Sequence, residues 1–256
     1  MQGIGIDTAI ILACVGIIAG LFGVLLGLGG GAIIVPMLTL IPYFHLTIHQ
    51  AVAISIVCVL GVSLGGTVRY VEEGLTDIRL GVLLTIGTTA GAIIGSLVSH
   101  LLKAAIIEVL FSLILFYASY EMIRNQFKND IPDGSYKHPV IGLSLVSISG
   151  MFAGLFGVGG GAINVPVMHL IMDVPMKKTT ATSNFMIGST ASAASLVYLL
   201  NGSIQLHEVA PLAIGTFAGA KLGAMLLKRI HTILLKRIFA IVLVLIGFQM
   251  LYHAVR

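Results

Sequence analysis

Apolar residues run through this chain in stretches of about twenty, the length a helix needs to cross a bilayer. Runs near 50–68, 79–99, 104–124, 179–200, 208–227 and 233–252 each predict one such helix. Two further runs, about 8–44 and 139–172, are too long for one span, and three consecutive glycines interrupt each, Gly29-Gly30-Gly31 and Gly159-Gly160-Gly161. Helices tolerate such triads badly, because glycine loses the most backbone freedom on ordering, so a turn is predicted at both. The pattern predicts an all-α fold, a polytopic helical membrane protein.

The chain also repeats itself. Gly29-Gly30-Gly31-Ala32-Ile33-Ile34-Val35-Pro36 recurs 130 residues later as Gly159-Gly160-Gly161-Ala162-Ile163-Asn164-Val165-Pro166, and the ladder Gly87, Gly91, Gly95 recurs 128 residues later as Gly215, Gly219, Gly223. Three segments follow: a membrane repeat over 1–126, a cytoplasmic linker over 127–138 with a turn-rich Asn129-Asp130-Ile131-Pro132-Asp133-Gly134 core, and a second repeat over 139–256. Basic residues gather on the cytoplasmic side and so report orientation. If each long run crosses once, Arg69, Arg79, Arg124, Lys128, Lys137 and Arg256 face Lys103, Lys177, Lys178, Lys228, Arg229, Lys236 and Arg237, six against seven. If each glycine triad is instead the tip of a hairpin, Lys103 and Arg256 stand opposite all the others, two against eleven. That bias predicts hairpins, inverted repeats and both termini outside a multi-pass cell-membrane protein. Re-entrant hairpins and two full crossings satisfy the count equally.

Composition agrees. Of 256 residues, 57% are hydrophobic and 9% charged, against about 25% charged in soluble domains. Mean hydropathy is +1.08. Too little charge is present to cover a soluble surface, which excludes water-soluble enzymes and nucleic-acid binders despite a net charge of +4. Cys14 and Cys58 form no Cys-x-x-Cys motif and read as buried small hydrophobes. No basic region precedes the first apolar run, so a cleaved signal peptide is not expected.

A broken helix presents unpaired amides at the start of its second arm, and with the dipole these favour an anion. Glycine permits the close backbone approach, although small residues also serve tight helix packing. Inverted repeats with broken helices are a recurring transporter architecture. The two boxes Gly-x-Gly-Gly-Gly-Ala-x-x-x-Pro, at 27–36 and 157–166, resemble those of the sulfite exporter TauE/SafE family, and the resemblance covers nearly the whole chain. It implies transport of small sulfur-containing anions such as sulfite, sulfonates or thiosulfate.

Candidate substrate-binding residues are Gly29, Gly30, Gly31, Gly159, Gly160, Gly161, Asn164, Ser183, Asn184 and Lys221. Asn184 and Ser183 belong to a polar stretch from Thr179 to Ser195, and Asn184 either lines a cavity or bonds a partner helix. Counted at the spacing of the glycine boxes, their first-half counterparts are Ala53 and Ile54; Asn164 likewise stands opposite Ile34, which makes the pathway chemically lopsided. Lys221 lies within a span and either acts in the pathway or snorkels toward Lys228. The ladders read as helix packing. Gly61-Val62-Ser63-Leu64-Gly65 imitates a hydrolase elbow without a strand or triad, and the glycine boxes imitate a dinucleotide fingerprint with neither a strand before them nor a properly spaced acid after. His45 and His49 lack a third metal ligand. Asn201-Gly202-Ser203 is a glycosylation sequon. No acidic residue sits mid-span, so a buried carboxylate proton relay is not evident, and His169 is a weak substitute. The sequence thus predicts a transporter, with export as the expected direction, for small anions within a lipid bilayer, with no catalytic residues, metal, cofactor or nucleic-acid partner. A membrane-embedded enzyme and a structural membrane protein are the alternatives.

Overall fold

The computed structural model describes residues 6–40, 48–98, 104–124, 136–157, 159–201 and 206–255. His45, Lys103, Lys128, the linker residues 127–135, the sequon's Gly202 and Ser203, and both terminal residues lie outside the described residues. Helices make up nearly all the rest: α1 (Ile6–Leu26), α2 (Gly31–Leu40), α3 (Ile48–Glu72), α4 (Ile78–Val98) and α5 (Ala104–Arg124), then α6 (Pro139–Phe156), α7 (Gly161–Pro166), α8 (Met176–Leu200), α9 (Leu206–Leu227) and α10 (Thr232–Val255). Five stretches, Thr8–Leu26, His49–Glu72, Ile78–Val98, Pro139–Phe156 and Val209–Leu227, are long and apolar enough to cross a membrane. Ile10, Ile86, Leu97, Leu200, Ile214 and Leu245 stand exposed on the outside of the bundle, a surface suited to lipid. Helix α8 has the length of a span but is rich in Ser and Thr; Thr179, Thr180, Thr182, Ser183 and Asn184 are buried inside the bundle.

The glycine ladders set which helices touch. Gly215 and Gly219 of α9 lie against the backbone of α1 at Ala13 and Ile17, while Gly20 of α1 lies against the backbone of Thr216. The same arrangement joins α4 to α6: Gly91 and Gly95 abut the backbone at Ser147 and Met151, and Gly150 abuts Thr88. A side chain at any of these positions would displace backbone, so glycine here brings two helix axes closer than Leu or Ile permits. Helix α1 thus pairs with α9 as α6 pairs with α4. Helix α9 also packs on α3 as α4 packs on α8, and α5 packs on α10. Each pairing joins one helix from each repeat and has a mate with the two repeats exchanged.

At the centre α3 and α8 run antiparallel. Ser63 Oγ donates to the Asn184 carbonyl at 2.8 Å, and beyond the end of α3 Asp77 meets Lys178 at 3.5 Å. Several loop ends therefore share one end of the bundle. The Tyr136 hydroxyl also donates to Asp77; Lys228 approaches Glu73 at 3.5 Å, and Lys137 pairs with Asp173 at 2.7 Å. Among the described residues, the buried core toward the other end is apolar, with Ile34, Leu38, Val52, Ile56, Ala194 and Tyr198.

Candidate functional site

Each glycine triad is a turn, as the sequence predicts. Helix α1 stops at Leu26, Gly27, Gly29 and Gly30 take φ of 67°, 80° and 79°, and α2 starts at Gly31. In the second repeat Gly157, Gly159 and Gly160 take 70°, 81° and 74° before α7 starts at Gly161. These left-handed values are why the positions are glycine. The Leu28 and Gly29 amides fold back onto the Gly23 carbonyl, at 2.9 and 3.2 Å, which closes the first turn.

The two turns meet. A Cβ added at Gly29 would lie 3.1 Å from Val59 Cγ1 and 3.1 Å from Ile187 Cγ2; one added at Gly159 would meet the same two atoms at 3.1 and 3.2 Å and the Leu28 carbonyl at 3.2 Å. Val59 of α3 and Ile187 of α8 are themselves 128 positions apart, so the crossing sits where the repeats exchange. Gly161 abuts Gly27 and Leu28 of the other turn, and Gly31 is buried at the start of α2. Gly30 and Gly160 face back into their own first arms, toward Ala19 and toward Ala153 and Ser149. What these two supply to the crossing is backbone shape.

Hydroxyls fix the turns from outside. Ser183 Oγ donates to the Gly27 carbonyl at 2.8 Å and Ser55 Oγ to the Gly157 carbonyl at 2.8 Å; Tyr70 reaches the Val24 carbonyl at 3.0 Å and Tyr198 the Gly154 carbonyl at 2.8 Å. These reciprocal bonds correct the sequence register. The counterpart of Ser183 is Ser55, not Ala53, and that of Asn184 is Ile56, not Ile54, because the spacing falls from 130 at the turns to 128 in α3 and α8. The repeats are therefore matched at the serines and differ at Asn184 and Asn164. A spacing of 128 was already visible in the ladders; carried back into α3, it pairs Ser55 with Ser183 and Tyr70 with Tyr198, and of these four the sequence reading singled out Ser183 alone.

The polar side chains gather on one side of the crossing. Asn184 is fully buried against Ser63, Gly66 and Thr67 of α3; its Nδ2 is 3.5 Å from Thr67 Oγ1, and its Oδ1 has no hydrogen-bond partner. Thr180, one turn earlier on α8, and Asn164, one turn into α7, are also buried with an unpartnered side-chain oxygen. A buried polar atom without a partner costs about 1–3 kcal/mol, so three near one turn mark a place suited to a polar guest. Below Asn164 the helix changes form. Pro166 has no amide to bond the Ala162 carbonyl, and Val167–Ile171 form a π turn carrying buried His169, whose Nδ1 lies 2.8 Å from the Val174 carbonyl. Lys221 stands apart, exposed on the outer strip of α9 with Phe217, Leu222 and Met225. Among the described residues no three His, Cys, Asp or Glu side chains are grouped as a metal site would need.

The profile of the family described as "Sulfite exporter TauE/SafE" matches residues 12–250. A "probable membrane transporter protein", YunE of Bacillus subtilis, is 30% identical over 96% of this chain and 98% of its own. A "probable membrane transporter protein" of Methanocaldococcus jannaschii is 28% identical over 86% of each chain, and one of Xylella fastidiosa (strain Temecula1) is 25% identical over 82% of this chain and 83% of its own. No solved structure matches the chain. The all-helical membrane bundle, the paired glycine turns and these likenesses agree: the chain is a membrane transporter, not an enzyme, and it belongs to the sulfite exporter TauE/SafE family.

Proposed function

We propose that the protein exports small anions, sulfur-containing ones such as sulfite or organosulfonates, through the crossing of its two glycine turns. The observation that carries this reading is the convergence of Gly29 and Gly159 on Val59 and Ile187, which brings two helix starts to one place mid-bundle. The first amides of α2, at Gly31 and Ala32, and of the continuous arm Gly161–Ile171, at Gly161 and Ala162, have no carbonyl one turn back within their helices, and so favour negative charge. Asn164, Ser183 and Asn184 form the polar side of the route; Lys221, on the lipid-facing strip, is left out. The exchange of packing pairs and the antiparallel course of α3 and α8 support inverted repeats. The ion pairs that gather Lys137, Lys178 and Lys228 at one end support a cytoplasmic linker, with both termini outside.

The test is efflux of sulfite, methanesulfonate and thiosulfate from proteoliposomes, with chloride and potassium as comparison ions. Saturable, protein-dependent efflux of the sulfur anions is expected. Passage of potassium alone, or none at all, would defeat the proposal and favour a structural role.

A further inference from the structure

A turn between two helix arms is electrostatically ambiguous, because the first arm ends in unpaired carbonyls and the second begins with unpaired amides. An anion placed there is repelled by one set and attracted by the other. The four crossing hydroxyls resolve this. Ser183 and Tyr70 cover the Gly27 and Val24 carbonyls at the end of α1, and Ser55 and Tyr198 cover the Gly157 and Gly154 carbonyls at the end of α6. All four side chains are fully buried. Hydroxyls inside helices ordinarily bond a carbonyl of their own preceding turn, as Ser147 does to Leu143 and Thr190 to Met186. Ser55 and Ser183 reach into the opposite repeat instead, and do so reciprocally.

Resting on the anion reading above, we infer that Ser55 and Ser183 are positioning residues that set the sign of charge accepted at the crossing: they hold the turn carbonyls on their hydroxyl protons and leave the amide ends as the net local charge. Without a serine, the freed carbonyl adds partial negative charge beside the route. Coulomb energy is linear in ligand charge, so the fold-change in apparent affinity for a divalent anion is the square of that for a monovalent one. A partial charge of about one half at helix-end distances in a medium of effective dielectric about 20 gives on the order of a three- to tenfold loss for a monovalent anion, squared for a divalent one. Loosened packing alone makes no such distinction.

The experiment measures inhibition of sulfite efflux by methanesulfonate and by thiosulfate in proteoliposomes holding the wild type, Ser55→Ala, Ser183→Ala and the hydroxyl-retaining Ser55→Thr and Ser183→Thr. The expected result is a several-fold weaker methanesulfonate constant in each alanine variant, a thiosulfate constant weakened by about the square of that factor, and threonine variants near wild type. Tyr198→Phe, which removes one oxygen, should show the same scaling and decides the matter if an alanine variant fails to fold; Tyr70→Phe should lose less, because the Val24 carbonyl also accepts the Gly27 amide at 3.3 Å. Equal losses for the two probes, or no loss in folded protein, would overturn the assignment and leave the anion reading standing. Absence of wild-type sulfite efflux would overturn both.

Discussion

Gly159→Ala separates the role of the crossing from the strain of its turn. Gly159 holds φ at 81°, where an L side chain costs about 1–2 kcal/mol. Its new methyl would stand 3.1 Å from Val59 Cγ1 and 3.2 Å from both Ile187 Cγ2 and the Leu28 carbonyl. Those neighbours must retreat by a few tenths of an ångström, and one of them is backbone. Overpacking of this kind adds about 1–3 kcal/mol, for a total of about 2–5 kcal/mol. Gly74→Ala provides the comparison: φ there is 67°, and nothing lies within 4 Å of an added Cβ, so only the backbone cost of about 1–2 kcal/mol applies. Unfolding in detergent measures stability, and proteoliposome efflux normalised to folded protein measures transport. Gly74→Ala should lose stability and keep its efflux per folded molecule. Gly159→Ala should lose efflux at least about tenfold, and Val59→Ala in the same chain should restore part of it by making room for the methyl. Wild-type efflux per folded Gly159→Ala molecule would refute the placement of the substrate route at this crossing.

Three further outcomes follow from single residues. Lys221→Met should export normally at unchanged folded yield, because Lys221 is exposed on the outer strip of α9; lost efflux would return it to the pathway. Asp77 Oδ1 accepts the Leu80 amide at 3.0 Å as the N-cap of α4, so Asp77→Ala should lower stability by about 0.5–2 kcal/mol while Asp77→Asn, which keeps the cap and loses the Lys178 charge pair, should lose less in the same unfolding measurement. Single cysteines at Lys137 and Lys178 should be shielded from an impermeant thiol reagent added outside intact cells, and one at Asn201 should label; labelling of Lys178 together with Asn201 would refute the inverted orientation.

The helices, the glycine turns and the packing ladders were legible in the sequence because each rests on a local signal, a run of apolar residues or a glycine at fixed spacing. Register between the repeats was harder to read. Only two insertions separate the spacing of 130 from that of 128, yet in between Val59 faces Ile187, and the pair carries no shared motif. The 128 spacing of the ladders pairs Ser55 with Ser183 only if it is carried back across that change, and their carbonyl partners show that it must be. Asn164 and Asn184 were legible because an amide in an apolar run costs free energy, but Thr180 was one of many hydroxyls, and only its missing partner sets it apart. The face that Lys221 occupies was not legible for a related reason. Span boundaries say how deep a residue lies and nothing of which face it occupies, and α9 turns Lys221 outward while Gly219 and Gly223 face α1.

The backbone contact between α1 and α9 also bears on how the chain is made. Helix α1 leaves the ribosome well before α9, and the surface to which Gly16 and Gly20 are fitted, at Leu212 and Thr216, is synthesised nearly two hundred residues later. Until then its narrow glycine face has only lipid beside it, and lipid tails cannot reproduce the fit of one backbone against another. Helix α4 waits much less, since α6 follows within one helix and a loop. Biogenesis is therefore staggered. The α4–α6 pair can close while the second half is still being translated, whereas α1 is held loosely in the bilayer until α9 arrives, so a ribosome stalled before α9 leaves behind a membrane-inserted chain that has its crossing helices but lacks the contact that locks its first one.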